Sequence, residues 1–153
     1  MMKNKIILLT LLFALLAGSI CWQFASQKDD VSQYVPSEIP VTADGDRALT
    51  NIRKRITDAG SRNNFHSLEK LFNMSKADRE LAKIERKCDP VKEQLALLQE
   101  HSQLVKDDKW QIFTLEKNSS VRILRAETAN DRKLSIVLVK RKSGYRISAV
   151  KLG

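Results

Sequence analysis

Reactive residues are scarce in this chain. Two cysteines occur in 153 residues; Cys21 falls inside an apolar run and Cys88 stands alone beyond it. A single thiol closes no internal disulfide, and without a CxxC pair there is no zinc or dithiol redox motif. Cys88 therefore reads as a packed apolar residue or as a site for intermolecular pairing. Only two histidines are present, His66 and His101. No HExxH, GxSxG, phosphate-loop or EF-hand pattern accompanies them. The sequence gives no reason to expect a catalytic residue, a cofactor or a metal site, and the chain reads as a non-enzyme.

Charge is also missing where it matters most. Residues 6–25, IILLTLLFALLAGSICWQFA, carry no charged side chain and follow Lys3 and Lys5. Twenty helical residues at 1.5 Å each span about 30 Å, the thickness of a bilayer's hydrocarbon core. The run is expected to be a transmembrane anchor, with Trp22 as an interfacial aromatic. Two alternatives stay open. The small residues Ala17-Gly18-Ser19 suit signal cleavage near Ser19. Cys21 would suit a lipoprotein, although Ile20 before it departs from the small residue such signals carry. All three place residues 1–5 in the cytoplasm and the rest of the chain outside, because the lysines precede the run. The expected location is the inner membrane, single-pass, with the following domain in a bacterial periplasm.

Residues 27–45 contain two prolines and no sustained periodicity, which predicts an extended linker. From 46 the pattern becomes helical: Leu49, Ile52, Ile56 and Ala59 share one face. Asp44 or Asp46 is placed to cap this helix and Gly60 to stop it. Phe65, Leu68, Leu71 and Phe72 mark a short second helix. Ser75 and Asp78 suggest a cap for a third, with Leu81 and Ile84 as its apolar contacts. Asp89-Pro90 starts another helix, which turns Val91, Leu95, Leu98 and Val105 inward and ends near 106–108. The period then drops to two in four strands, around Trp110–Leu115, Val121–Thr128, Lys133–Lys140 and Tyr145–Leu152. Turns are expected at 118–120, 129–131 and 142–144. The expected fold is α+β: helices packed on one face of a four-stranded antiparallel meander, spanning residues 46–153.

The helical stretch NIRKRITDAGSRNNFHSLEKLF (51–72) and the closing RKLSIVLVKRKSGYRISAVKL (132–152) carry a family likeness. Their layout resembles the nuclear-transport-factor-2-like or cystatin-like superfamily of small cone-shaped α+β domains, over roughly residues 46–153. The resemblance implies helices followed by a curved sheet. It implies no single function, since members include isomerases, ligand binders and membrane-tethered assembly domains of secretion machines. An enzyme of this superfamily sets an acid–base pair in its cone. Here His101 lies on a polar helix face and reads as solvated, His66 reads as a packing or capping residue, and Asp107-Asp108 read as turn residues.

Basic charge is concentrated at the end of the chain. From Lys117 onward there are 10 Lys and Arg against 2 acidic residues, whereas residues 27–116 hold 15 against 16. Arg122, Arg132, Lys133, Lys140, Arg141, Lys142 and Arg146 form the candidate binding patch. Clustered cations attract an acidic protein, anionic lipid or nucleic acid. An outside location and the single interleaved aromatic, Tyr145, disfavour nucleic acid. A solvated face that blunts sheet-edge aggregation is the bland alternative. Two sequons, at Asn73 and Asn118, say little, because about one chance match is expected among seven asparagines. The expectation is a membrane-tethered binding protein, an accessory or assembly component of an envelope or secretion complex. A cleaved periplasmic inhibitor or immunity-type protein is the second reading, and a ligand binder or isomerase using the cone interior the third.

Overall fold

The computed structural model describes residues 36–107, 109–128 and 130–153. The apolar run at 6–25 and the first part of the linker lie outside the described residues. Among the described residues no helix is long and apolar enough to cross a membrane. Pro36–Gly153 forms one compact unit.

Its elements run β1 (Glu38–Pro40), α1 (Arg47–Ser61), a 3-10 helix (Phe65–Leu71), α2 (Lys76–Arg86), α3 (Pro90–Glu100), α4 (Ser102–Lys106), β2 (Gln111–Leu115), β3 (Asn118–Glu127), β4 (Lys133–Arg141) and β5 (Gly144–Leu152). The α+β order is as expected, but the sheet has five strands, ordered β1-β2-β3-β4-β5, rather than four. The extra strand lies in the segment read as linker. Two of its three residues are Ile39 and Pro40, and proline is tolerated there because β1 is an edge strand with a free N–H side. Beyond the ladder, the Val41 amide donates to the Ile112 carbonyl at 2.9 Å, and the Glu116 amide to that of Ser37 at 2.9 Å.

Local chemistry explains the helix boundaries. Asp46 caps α1, its Oδ1 accepting from the Leu49 amide at 3.0 Å. The hydroxyl of Ser75 accepts from the Asp78 amide and donates to its carboxylate, closing the cap of α2. Asp89 accepts from the Val91 and Lys92 amides, and Pro90 at the first helical position has no N–H to satisfy. The single helix expected from 90 to about 106 is two, broken at His101. The turn expected at 118–120 is strand, and the β2–β3 connection is Glu116-Lys117.

One core fills the space between the helices and one face of the sheet. Leu49, Ile56, Leu68, Leu98, Leu124, Leu134, Ile136, Leu138 and Ile147 are essentially inaccessible there. The register runs Ile112–Leu124–Ile136–Val150 straight across four strands, a row that belongs wholly to this core. Keeping Val150 in the row needs a bulge. Val137 faces Ala149 and Leu138 faces Ile147, so Ser148 has no opposite and the strand changes phase. The outer edge of β5 is closed by two contacts. The Asn73 amide donates to the Ile147 carbonyl at 2.7 Å, and Gln94 Oε1 of α3 accepts from the Val150 amide at 2.7 Å.

Candidate interaction surface

The seven cations of the expected patch divide between the two ends of the sheet. Arg132 and Lys133 flank the β3–β4 turn, while Lys140, Arg141, Lys142 and Arg146 surround the β4–β5 turn at the opposite end. Arg122 sits between, opposite Leu138. The turns after β2 and after β4 lie at the same end, because the strands alternate in direction. Glu38 pairs with Leu115 at that end, so β1 starts at the same end as the basic β4–β5 turn, on the opposite edge of the sheet.

Several of these cations are held by groups other than acids. Arg122 Nη1 donates to the Ser119 and Val121 carbonyls and to Thr114 Oγ1, bracing the irregular start of β3. Arg141 Nε donates to Asn73 Oδ1 at 3.2 Å and Arg146 Nη1 to the Lys70 carbonyl at 2.8 Å. Lys140 stands over the Tyr145 ring, 5.8 Å from its centroid. None of these partners is a carboxylate, so the charges are oriented but not neutralised. Among the described residues, Arg122, Lys140, Arg141, Lys142 and Arg146 make no ion pair.

Asp46, the acid on which Lys140 and Arg122 act, is already committed to the fold. Tyr145 Oη donates to Asp46 Oδ2 at 2.9 Å while Asp46 Oδ1 caps α1. Burial opposes the charge on Asp46. The hydrogen bonds from the Leu49 amide and Tyr145, with Lys140 and Arg122 nearby, outweigh it and lower its pKa. Burial, and then the bond to Asp46, push the Tyr145 hydroxyl up to about 12. The Tyr145–Asp46 link joins β5 to α1 across 99 residues of chain, and no periodicity in the sequence signals it.

Three cations elsewhere, Arg79, Lys83 and Arg125, are paired with acids. Arg125 bridges to Glu38 Oε2 at 2.7 Å and stacks over Phe113, 4.7 Å from the ring centroid. Arg79 contacts both Glu69 and Asp89, the latter at 2.6 Å, and Lys83 reaches Glu80 at 2.7 Å and Asp89 at 3.7 Å. The Arg79 guanidinium holds the Asp89 carboxyl at about 2 and lowers that of Glu69. This network docks α2, and it corrects the expectation that Leu81 and Ile84 do so. Those side chains are 54% and 77% exposed, and α2 buries no residue at all. Arg79 and Lys83 face the body of the domain, so the apolar stripe Ala77, Leu81 and Ile84 faces outward.

The candidate acid–base residues do not assemble. His66 is exposed, its Nδ1 2.9 Å from Glu69 Oε2 on the same 3-10 helix. His101 is half-buried at the break between α3 and α4, with Nε2 inaccessible, which corrects its reading as solvated. Asp107 accepts from the Lys109 amide, the turn role expected of it, and Asp108 lies outside the described residues. Cys88 is half-buried, and its thiol pKa is raised, first by its hydrogen bond with Glu93. Among the described residues no group of three or more potential ligands could hold a metal ion. The clefts lie on the surface; one between the 3-10 helix and α2, about 650 Å³, is lined by His66, Lys70, Met74 and Arg79 among others.

The open face of the sheet was not anticipated from the sequence. On the side away from the helices, Pro40, Phe113, Ile123, Val137 and Ala149 form one cross-strand row through all five strands. Val121 and Val139 pair beside it. Val121 and Ile123 are buried yet stand outside the helix-facing core. Single-strand alternation offers the signal, since Val137 and Val139 alternate with the core residues Ile136 and Leu138, but only the register joins them into a surface. No protein family, characterised protein or solved structure matches the chain, so the reading of these surfaces rests on their chemistry.

Proposed function

We propose that this chain is a non-catalytic, membrane-tethered binding protein of the bacterial envelope. In this reading residues 6–25 anchor it in the inner membrane and the domain works in the periplasm, as an accessory or assembly component of a larger complex. The run of helices followed by the β2–β5 meander supports assigning the domain to the nuclear-transport-factor-2-like or cystatin-like superfamily. One observation carries the proposal. At the β4–β5 end Arg146 is held by a carbonyl, Arg141 by an amide side chain and Lys140 by an aromatic ring, whereas Arg79, Lys83 and Arg125 are paired with acids. Oriented cations without carboxylate partners retain their attraction for an acidic surface. They lie at the end of the sheet at which β1 begins. A core filled by apolar side chains favours this surface over a ligand in the interior.

Crosslinking in intact membranes tests the reading. A discrete partner should be recovered with the full chain, and the Lys140→Glu/Lys142→Glu double variant should lose most of it. Arg132→Glu/Lys133→Glu, at the other end of the sheet, should retain it. Recovery of the chain alone, or equal loss in both double variants, would sink the assignment.

A further inference from the structure

The helix-free face of the sheet has a composition that solvation alone does not explain. Antiparallel sheets with one open face usually present polar residues on it. Here the middle of that face is Pro40, Phe113, Ile123, Val137 and Ala149 in one row, with Val121 and Val139 beside it. The rim is charged. By the same alternation Arg125, Lys133, Arg141, Arg146 and Lys151 lie on this face against Glu38 and Glu127, and Glu38 is already taken by Arg125.

We infer that this face receives an acidic amphipathic helix from a partner protein, laid across the strands. The dimensions fit one element. Five strands at a spacing of ~4.8 Å put about 19 Å between the ends of the row, the length of roughly thirteen helical residues. The accessible members of the row, Pro40, Phe113, Val137 and Ala149, offer contact to a stripe of apolar side chains, and the rim selects carboxylates on either side of that stripe. A second copy of this chain is the wrong occupant, because beyond the Arg125–Glu38 pair it would set four cations and one acid against the same. The inference deepens the binding role proposed above by naming the partner's chemistry, and it rests on that role.

The test uses the full chain in phosphatidylcholine nanodiscs with Ile and Val methyls labelled for NMR. Two synthetic fourteen-residue helical peptides are titrated, sharing one leucine stripe, flanked by Glu in the first and by Lys in the second. The Glu-flanked peptide should shift the methyls of Val121, Ile123, Val137 and Val139 and leave those of Ile136 and Ile147 in place. The Lys-flanked peptide should do neither. Val137→Glu/Ala149→Glu should weaken binding at least tenfold, and Val137→Thr/Val139→Thr serves if the first variant does not fold. Silence toward the Glu-flanked peptide, or shifts confined to Ile84 on α2, would overturn the inference. So would the same methyl shifts on changing to phosphatidylglycerol discs, or on loading two copies per disc, which would assign the face to lipid or to self-association. Lys140 and Lys142 lie outside the row. Loss of membrane crosslinking in their double variant with peptide binding intact therefore separates the two proposals.

Discussion

At the scale of single residues, Gly60 illustrates how one position can be legible in type and not in purpose. Its place after Ala59 predicts a helix stop, yet α1 continues to Ser61 and Gly60 is buried inside it. A Cβ built there would stand 2.8 Å from Val105 Cγ1 and 3.2 Å from the Lys106 amide nitrogen, so the glycine lets α4 cross α1 at close range. Gly60→Ala should therefore destabilise the domain by about 1–3 kcal/mol, even though alanine is the better helix former. Thermal unfolding checks this, and a midpoint raised by the substitution would mean that α4 gives way freely. Inward side chains such as Leu49, Ile52 and Ile56 were readable because burial repeats with the helix period. Asp46 was readable as a cap, but its bond to Tyr145 was not, because the partner lies at the other end of the chain.

Among the elements, α2 separates amphipathicity from orientation. Its apolar stripe is real in the sequence, and the natural expectation is that such a stripe packs inward. Instead the opposite face carries Arg79 and Lys83, and their pairs with Glu69 and Asp89 fix the helix the other way round. Periodicity gives a phase; it does not say which side wins. Because the Asp89 and Glu69 carboxyls titrate below their ordinary range, the stability they lend is complete above that range. It is lost as the pH falls, for Asp89 through about 2. Amide exchange should accordingly report loss of protection in α2 on passing from pH 5 to pH 2.5, ahead of β3 and β4. Arg79→Met should produce the same loss at neutral pH. Charge-assisted bonds contribute about 1.5–3 kcal/mol each, so protection in α2 should fall roughly tenfold to a hundredfold. Unchanged exchange in α2 would show that another contact holds it. The bulge at Ser148 was hidden for a related reason: uninterrupted alternation would have put Ala149, not Val150, into the core.

For the molecule as a whole, the instructive boundary is the one between linker and domain. Composition placed it at residue 46, because prolines and polar residues dominate 27–45. The register moves it back to at least Glu38, since β1 completes the sheet and supplies the carboxylate for Arg125. A chain beginning at Asp46 should consequently melt lower than one beginning at Pro36 and should associate at high concentration. It would bare the edge of β2 and leave Arg125 without its partner. Calorimetry and size-exclusion chromatography check both; identical behaviour of the two chains would return β1 to the linker. The same strand has a mechanical consequence. Its first residue, Glu38, lies toward the end of the sheet from which the chain arrives, so traction through that incoming segment pulls β1 along its own axis. The bonds of Ser37, of the β1–β2 ladder and of Val41 then bear load together, in shear, rather than parting one after another like a zipper.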